Sequence, residues 1–504
     1  MRNILFIIPP CHEDFNIDFE IAFPNHILYL MRFAEKAGWD SSLIDMTLEE
    51  KEGIDSFEIL KEKLIKKSFD LVGISNHTVR TVPTTSMVSS FIKGIINIPI
   101  IVGGLNASFM WDILLKENSN IDFVIKGFGQ EPIYEFLKNY PNIDTKAIPG
   151  LISRNSETFH TNNVKAVLTD YFLIEDFNKI DLKRYLKWTS TYCLNSHFGC
   201  NYNCNFCTSN MPDLCQKKEI IRPVIDVIKE IKLAHENGFT SFFMNANNFT
   251  SNKTWLCEFA DSFLSEKLSI EWSCMSRIEY LDEDVINYLD QAGCKNIALG
   301  IESANNNIWE ELNKGYFKKA FIINVFQSIR QKGIETTVYL IVGLPNQTIN
   351  DISETIIFLQ EIDPNNRVIS FFQPYPGTPY WKSPIKFDIK NIAPFKDWNL
   401  YEYPICETRY MSKEETYNAA IRLYVEVGSG INIDIHKHKV MEMEALDSFK
   451  QILPEEVHLL LSKTTDYCLY KSLNFVSSEY GKRETLVCLY WLHYFFRNRM
   501  IKYE

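Results

Sequence analysis

The chain has no surplus of positive charge: 52 Lys and Arg stand against 64 Asp and Glu, a net charge of −12 over 504 residues. No nucleic-acid partner is therefore expected, because phosphate contacts are made chiefly by Lys and Arg. No apolar run approaches the roughly eighteen residues a membrane-spanning helix needs, so no membrane partner is expected either. The apolar start, Met1 to Pro10, is short and lacks a small-residue cleavage site; it reads as a first buried strand rather than a secretion signal. The twelve cysteines have no regular pairing, which argues against a disulfide framework and for a reducing, cytoplasmic setting. Nor is there a second Cys-x-x-Cys pair to complete a four-thiolate site.

What is present is one compact set of thiols, Cys200, Cys204 and Cys207, in the run His197-Phe198-Gly199-Cys200-Asn201-Tyr202-Asn203-Cys204-Asn205-Phe206-Cys207. Soft thiolates select iron–sulfur clusters or zinc. A structural zinc or closed cluster normally takes four protein ligands. Three thiolates would hold three irons of a four-iron cluster and leave the fourth open to bind and activate a substrate. The bland alternative is three unrelated cysteines in a turn. The other nine are expected to be small core residues.

At this length roughly two or three domains are expected. Short apolar runs at 4–8, 42–44, 71–75, 98–102 and 123–125 alternate with amphipathic stretches such as 27–37 and 84–93. That alternation predicts an α/β, Rossmann-like doubly wound parallel sheet over residues 1–140. Ligands of such sheets bind beyond the carboxyl ends of the strands. Those ends carry Ser75, Asn76 and His77, then Gly103, Gly104 and Asn106, then Gly127 and Gln130. The glycines either admit a large planar ligand close to the backbone or simply make tight turns. Residues 141–188 read as a polar connector. From Thr191 a second alternation has strands at 191–196, 241–244, 269–275, 296–299, 335–341 and 367–372, with helices at 224–236, 283–291 and 349–361. Spacing of about thirty residues or more per unit predicts a partial (β/α)6 barrel over 189–395, with its active residues at the carboxyl ends. Residues 396–504 read as a mostly helical C-terminal cap, with amphipathic 413–427 and an apolar core helix at 486–496 too short to span a bilayer.

The cysteine loop, with Phe206 just before its third thiol, resembles the radical S-adenosylmethionine (SAM) enzymes. The runs FDLVGIS, IPIIVGGLNAS and IDFVIKGFGQEP ahead of it resemble the cobalamin-binding domain of the B12-dependent members, and SRIEYLDEDVINYLDQAGCKNIALGIES, YLIVGLPNQT and QPYPGTPYW resemble their barrel blocks. The likeness runs from residue 1 to about 400. It implies a [4Fe-4S] cluster on Cys200, Cys204 and Cys207, with SAM on the open iron. It implies Phe206 near the adenine, Glu302 at the ribose or methionine end, and Arg277 at the SAM carboxylate or in a structural ion pair. Asn247, Ser276 and Gly300 are the remaining SAM contacts it suggests. Ser75, Asn76, Gly103, Gly104, Asn106, Gly127 and Gln130 become cobalamin contacts.

There are departures from the family pattern. An Asp-x-His-x-x-Gly signature is missing, and His235-Glu236-Asn237-Gly238 matches only its tail, so no histidine is assigned as the lower cobalt ligand. Gly127-Phe128-Gly129-Gln130 replaces Gly-Glu-Gly-Glu, and Asn106 stands where a histidine is frequent. Asn245, Asn247 and Asn248 replace the usual acidic residues; amides bind ligands but cannot act as carboxylate bases. Tyr339 and Tyr375 lie at the expected mouth, where they either pack or shape the substrate. His12, His77 and His197 are acid–base candidates by intrinsic pKa and receive no role.

The resemblance implies a methyltransferase that moves a methyl group to an unactivated carbon through methylcobalamin and a 5′-deoxyadenosyl radical. The substrate would be a small molecule or a peptide, and the reductant a flavodoxin or ferredoxin. A B12-dependent rearrangement, ring contraction or elimination is the alternative within the fold; a non-catalytic iron–sulfur sensor is the alternative outside it. tRNA methylthiolation would need a second three-cysteine set in the N-terminal domain, which holds only Cys11.

Overall fold

The computed structural model describes residues 2–10, 21–154, 159–161, 174, 177–209, 219–316, 318–398 and 403–427. Cys11, His12, Cys215, Cys468, Cys488 and the segment 486–496 lie outside the described residues.

The first sheet contains β1 (Asn3–Ile8), β2 (Asp40–Asp45), β3 (Leu71–Ser75), β4 (Ile100–Gly103), β5 (Phe123–Ile125), β6 (Leu151–Arg154) and β7 (Phe159–Thr161), in the order β2-β1-β3-β4-β5-β6-β7. The first five are parallel. Their strands are apolar on both sides because helices cover both faces. Ile4 and Phe6 enter one core while Leu5 and Ile7 enter the other, as the two-residue period requires. The strand order reverses between β1 and β3, which makes their carboxyl ends the crevice of a doubly wound sheet.

The stretch read as a connector departs from expectation, since β6 and β7 extend the sheet antiparallel. Strands this short, the last at an edge, leave no periodic trace in sequence. The helix Leu182–Leu186 then ties the sheet to the rest: Arg184 grips Glu49 at 2.8 and 2.9 Å, and the Tyr185 hydroxyl donates to Asp45 Oδ2 at 3.0 Å.

The second sheet uses β8 (Thr191–Asn195), followed after a short hairpin, β9 (His197–Gly199) with β10 (Glu219–Ile221), by β11 (Ser241–Asn245), β12 (Glu271–Ser276), β13 (Cys294–Glu302), β14 (Glu335–Val342) and β15 (Asn366–Phe371). Six parallel strands run in sequential order from β8 to β15 without closing, an open (β/α)6 barrel. Its helices start where the sequence supplies caps: Asn252 accepts from Trp255 N, Asp282 from Val285 N, and Thr348 makes a capping box with Asp351. On β8, β11, β12, β14 and β15, residues under the helices are buried, whereas alternate residues such as Cys193, Phe243, Met275, Tyr339 and Val368 remain half-exposed. A filled barrel would bury both sets; this pattern leaves the inner face open to a ligand.

The two sheets share a core. Asn25 donates to Cys193 O at 2.7 Å, and the Phe23 ring packs against Tyr192 and Phe239 of the barrel side. At the other end Arg80 Nε donates to Trp398 O at 3.1 Å, and Phe128 meets Phe198 edge-on at 5.6 Å. The helix Lys413–Val427 docks beside the last strands, with Tyr417 stacked on Phe371 at 6.2 Å and Arg422 donating to Ser353 Oγ at 2.8 Å.

Candidate active site

The cysteine loop leaves β9 and is tied down from three sides. Asn205 N donates to Leu312 O at 2.9 Å, and Asn313 Nδ2 to Asn203 O at 2.9 Å. Asn247, on the loop after β11, donates to Gly199 O at 2.8 Å and accepts from Ser209 Oγ at 3.0 Å, so one amide spans the loop's two ends. Cys207 N closes a turn on Cys204 O at 3.0 Å. Two sulfurs have donors at hand: Arg277 reaches Cys204 Sγ at 3.4 Å, and Ser209 N reaches Cys207 Sγ at 3.4 Å. Burial pushes the Cys200 and Cys204 thiols up, while the Arg277 and Lys314 charges work the other way on Cys204. Among the described residues no three His, Cys, Asp or Glu side chains converge as they would around one metal ion. The donor set fits a cluster better, because its thiolates bind different irons and need not meet at a point. Cys274, Cys294 and Cys406 are buried as expected of core residues; Cys193 and Cys257 are half-buried.

Arg277 follows β12 and is used up locally. Its guanidinium donates to Lys314 O at 2.8 Å, pairs with Glu279, and lies 3.7 Å from the Tyr202 ring centroid. Only its Nε lacks a partner. Glu302 ends β13 in a left-handed conformation, φ 60°, where the register slips against β14. That twist turns its carboxylate back over the strand, where Lys314 Nζ donates to Glu302 Oε1 and to Gly300 O, both at 2.6 Å. Gly300 leaves room for the pair: a Cβ would lie 2.4 Å from Glu302 Oε1 and 2.9 Å from Lys314 Nζ, and both side-chain ends would have to shift. Sequence reading missed Lys314, because a lysine twelve residues beyond Glu302 carries no signal of the pairing.

Ser276 is buried in a hydroxyl–amide knot. Its Oγ lies 2.6 Å from Thr250 Oγ1, and Asn248 Oδ1 accepts from Arg277 N at 3.1 Å. Asn248 Nδ2 has no partner although the residue is buried, and the same holds for Gln373 Nε2 beyond β15. Unmet buried donors cost about 1–3 kcal/mol each. With Arg277 Nε they are three orphaned N–H groups on mouth loops, as a polar ligand with acceptor oxygens would require. Phe206 packs, partly buried, against the apolar cluster to which Leu312, Phe372 and Tyr380 belong. Burial pushes the Tyr339 phenol up, and Tyr375 sits edge-on to Trp398 at 6.2 Å. His197 is enclosed by Trp255 and Phe249 and held neutral, its pKa driven down to about 3 by burial.

At the N-terminal strand ends the two asparagines bind each other. Asn76 is wholly buried; its Nδ2 donates to Thr81 O and Thr85 Oγ1, its Oδ1 accepts from Asn106 Nδ2 at 2.6 Å, and its N donates to Gly103 O at 2.6 Å. Gly104 has φ 120° and ψ 175°, and a Cβ there would lie 2.5 Å from Asn76 O. The close approach foreseen at this glycine pair is thus met by the protein's own backbone. Gly127 N donates to Ser108 Oγ at 2.9 Å, and Gln130 is buried at the start of the next helix. Ser75 Oγ lies 3.3 Å from His26 Nε2, and the His26 and His77 rings stand 5.6 Å apart. His77 is exposed and His26 half-buried, so both rings are accessible at this end of the sheet. Accessible side chains at the switch point leave the strand ends open to a ligand.

Two family models match: the B12 binding domain over residues 20–137 and the radical SAM superfamily over 194–359. An uncharacterized methyltransferase of Pyrococcus horikoshii is 24% identical over 84% of this chain and 92% of its own. An anaerobic magnesium-protoporphyrin IX monomethyl ester cyclase of Cereibacter sphaeroides is 23% identical over 80% of this chain and 66% of its own. The fold is similar to that of the radical SAM methyltransferase TsrM from Kitasatospora setae, solved with tryptophan and a SAM analogue, at TM-score 0.68 and 17% identity over 78% of each chain. It is also similar to that of the cobalamin-dependent SAM radical enzyme OxsB, solved with aqua-cobalamin and SAM, at TM-score 0.69 and 14% identity over 100% of this chain and 80% of that one.

Proposed function

Because one chain carries both a B12-binding domain and a radical SAM domain, we propose that this protein is a cobalamin-dependent radical SAM methyltransferase acting on an unactivated carbon of a small molecule. The observation that carries the reading is the meeting of two sets of strand ends. The switch point between β1 and β3 and an open barrel mouth bearing three thiols are joined through shared contacts. When bound, a [4Fe-4S] cluster supplies an electron for SAM cleavage and a corrinoid carries the methyl group.

The chain's own residues would then act as follows. Cys200, Cys204 and Cys207 hold the irons, and Asn247, Ser209 and Arg277 fix the loop and donate to two of the sulfurs. The orphaned N–H groups of Asn248, Arg277 and Gln373 take oxygens of SAM or substrate. Glu302, oriented by Lys314, keeps an oxygen for ligand hydroxyls. Phe128, Phe198, Phe206 and Tyr339 keep water from the space between the sheets. A flavodoxin- or ferredoxin-type donor in the cytoplasm would supply electrons. The cyclase among the relatives favours a second reading, a non-methylating radical reaction on the same scaffold.

The test is anaerobic reconstitution with iron, sulfide and hydroxocobalamin, followed by desalting, an absorption spectrum and a SAM turnover assay. Retained corrinoid with both S-adenosylhomocysteine and 5′-deoxyadenosine supports methyl transfer. Deoxyadenosine alone from a corrinoid-bearing protein supports the second reading. A cluster without retained corrinoid overturns both.

A further inference from the structure

One stretch of surface beyond β15 joins exposed positive charge to the loop that carries the thiols. In residues 381–390, Trp381, Phe387 and Ile389 turn inward onto the apolar cluster that also takes Phe206. Lys382, Ile385, Lys386 and Lys390 stay exposed. Ile385, at 88%, is the most exposed large apolar side chain among the described residues. Among those residues none of the three ammonium groups is paired with a carboxylate. The carboxylates nearby are engaged elsewhere: Asp388 lies 3.7 Å from Arg409, and Glu407 Oε2 accepts from Asn391 Nδ2 at 2.7 Å. Arg409 is itself exposed and lies over the exposed Tyr410 ring, 5.4 Å from its centroid. Lys382, Lys386, Lys390 and Arg409 against Asp388 and Glu407 leave this stretch positive in a chain whose net charge is −12. A lone exposed apolar residue needs no explanation, but one flanked by unpaired cations has the make-up of an interface with a charged rim.

Beneath it, contacts lead to the cysteine loop. The Phe387 ring meets Tyr380 edge-on at 4.7 Å, the Tyr380 hydroxyl donates to Glu311 Oε1 at 3.3 Å, and Asn205 Nδ2 donates to Glu311 O at 2.5 Å. Asn205 stands between Cys204 and Phe206. One ring contact and two hydrogen bonds therefore link the basic stretch to the loop that holds the irons.

We infer that residues 382–390, with Arg409, form the docking surface for an acidic one-electron carrier protein. The inference rests on the radical SAM reading above and says where its reductant binds. The carrier loses one electron and the [4Fe-4S] cluster gains it; no bond or proton moves. Rim cations steer an acidic partner, which raises the association rate and makes it depend on salt.

Freeze-quench electron paramagnetic resonance of the full, cluster-reconstituted chain tests this, with the signal of the reduced cluster as the readout. Two reductants are compared under anaerobic mixing: purified flavodoxin hydroquinone, an acidic protein, and reduced methyl viologen, a small cation. Lys382→Glu/Lys386→Glu/Lys390→Glu should slow reduction by flavodoxin about tenfold or more and flatten its salt dependence, with methyl viologen no slower. Lys61→Glu/Lys66→Glu/Lys138→Glu changes exposed lysines around the N-terminal sheet by the same net charge. It should leave both rates within about twofold of the unaltered protein, because distant exposed charges are screened. Equal slowing by both triple variants overturns the inference, as does slowing with methyl viologen too, or a change within about twofold in the first variant. So does an unaltered cluster that methyl viologen reduces and flavodoxin does not. A cluster that neither reduces, or none at all, fails the radical SAM reading itself.

Discussion

The buried pair of Lys314 and Glu302 offers the sharpest test of how the barrel mouth is built. The two side chains are 5% and 8% exposed, and Lys314 Nζ sits 2.6 Å from Glu302 Oε1. Removing one member of a buried ion pair strands the other charge, at about 3–5 kcal/mol, more than an exposed pair would cost. Lys314→Met also deprives Gly300 O of its donor. We expect Lys314→Met to lower stability by about 3–5 kcal/mol, read as a shift of the urea midpoint at unchanged m value. Neutralising the carboxylate removes most of the penalty, so the Lys314→Met/Glu302→Gln double variant should regain about 2 kcal/mol or more of that loss. Gly300→Ala should cost less than Lys314→Met, because its Cβ displaces the ends of the two side chains without removing either charge. A loss below about 1 kcal/mol, or single effects that add within about 0.5 kcal/mol, would refute the account.

Three further outcomes are expected. Serine at Cys200, Cys204 or Cys207 should leave reconstituted protein with far less iron and sulfide per chain, whereas serine at the half-buried Cys257 should leave both unchanged. Gly104→Ala forces a side chain into a backbone region open essentially to glycine and into Asn76 O; it should cost about 2–4 kcal/mol and reduce corrinoid retention in the desalted protein. Asp45 has its carboxyl raised by burial from 3.8 to about 6, only partly offset by Leu48 N and the Tyr185 hydroxyl. The folded state therefore binds that proton more tightly than the unfolded chain. Stability falls as pH rises from 3.8 to 6, and the full penalty, up to about 3 kcal/mol, persists above. Asp45→Asn should accordingly stabilise the protein at pH 8 and lose that advantage towards pH 4, measured by urea midpoints across the range.

The sequence by itself determined whatever is local or periodic. The five parallel strands of the first sheet and the six of the barrel were legible because a doubly covered strand must be apolar and each βα unit needs about thirty residues. The helix Lys413–Val427 was legible from its amphipathic period, and the three thiols because their spacing lies within one loop. Tertiary structure decided what depends on residues distant in sequence. β6 and β7 were hidden because short antiparallel strands borrow their order from a neighbour. Asn106, read with Asn76 as a ligand contact, donates its amide to Asn76 Oδ1 across thirty residues, since two strand ends brought side by side supply each other's buried polar groups with partners. Lys314 reaches Glu302 only because β13 slips register and Glu302 turns left-handed. Spacing reveals which chemistry a loop can hold; which polar groups remain free for a ligand is settled by packing, because a buried donor or acceptor takes the nearest partner the fold provides.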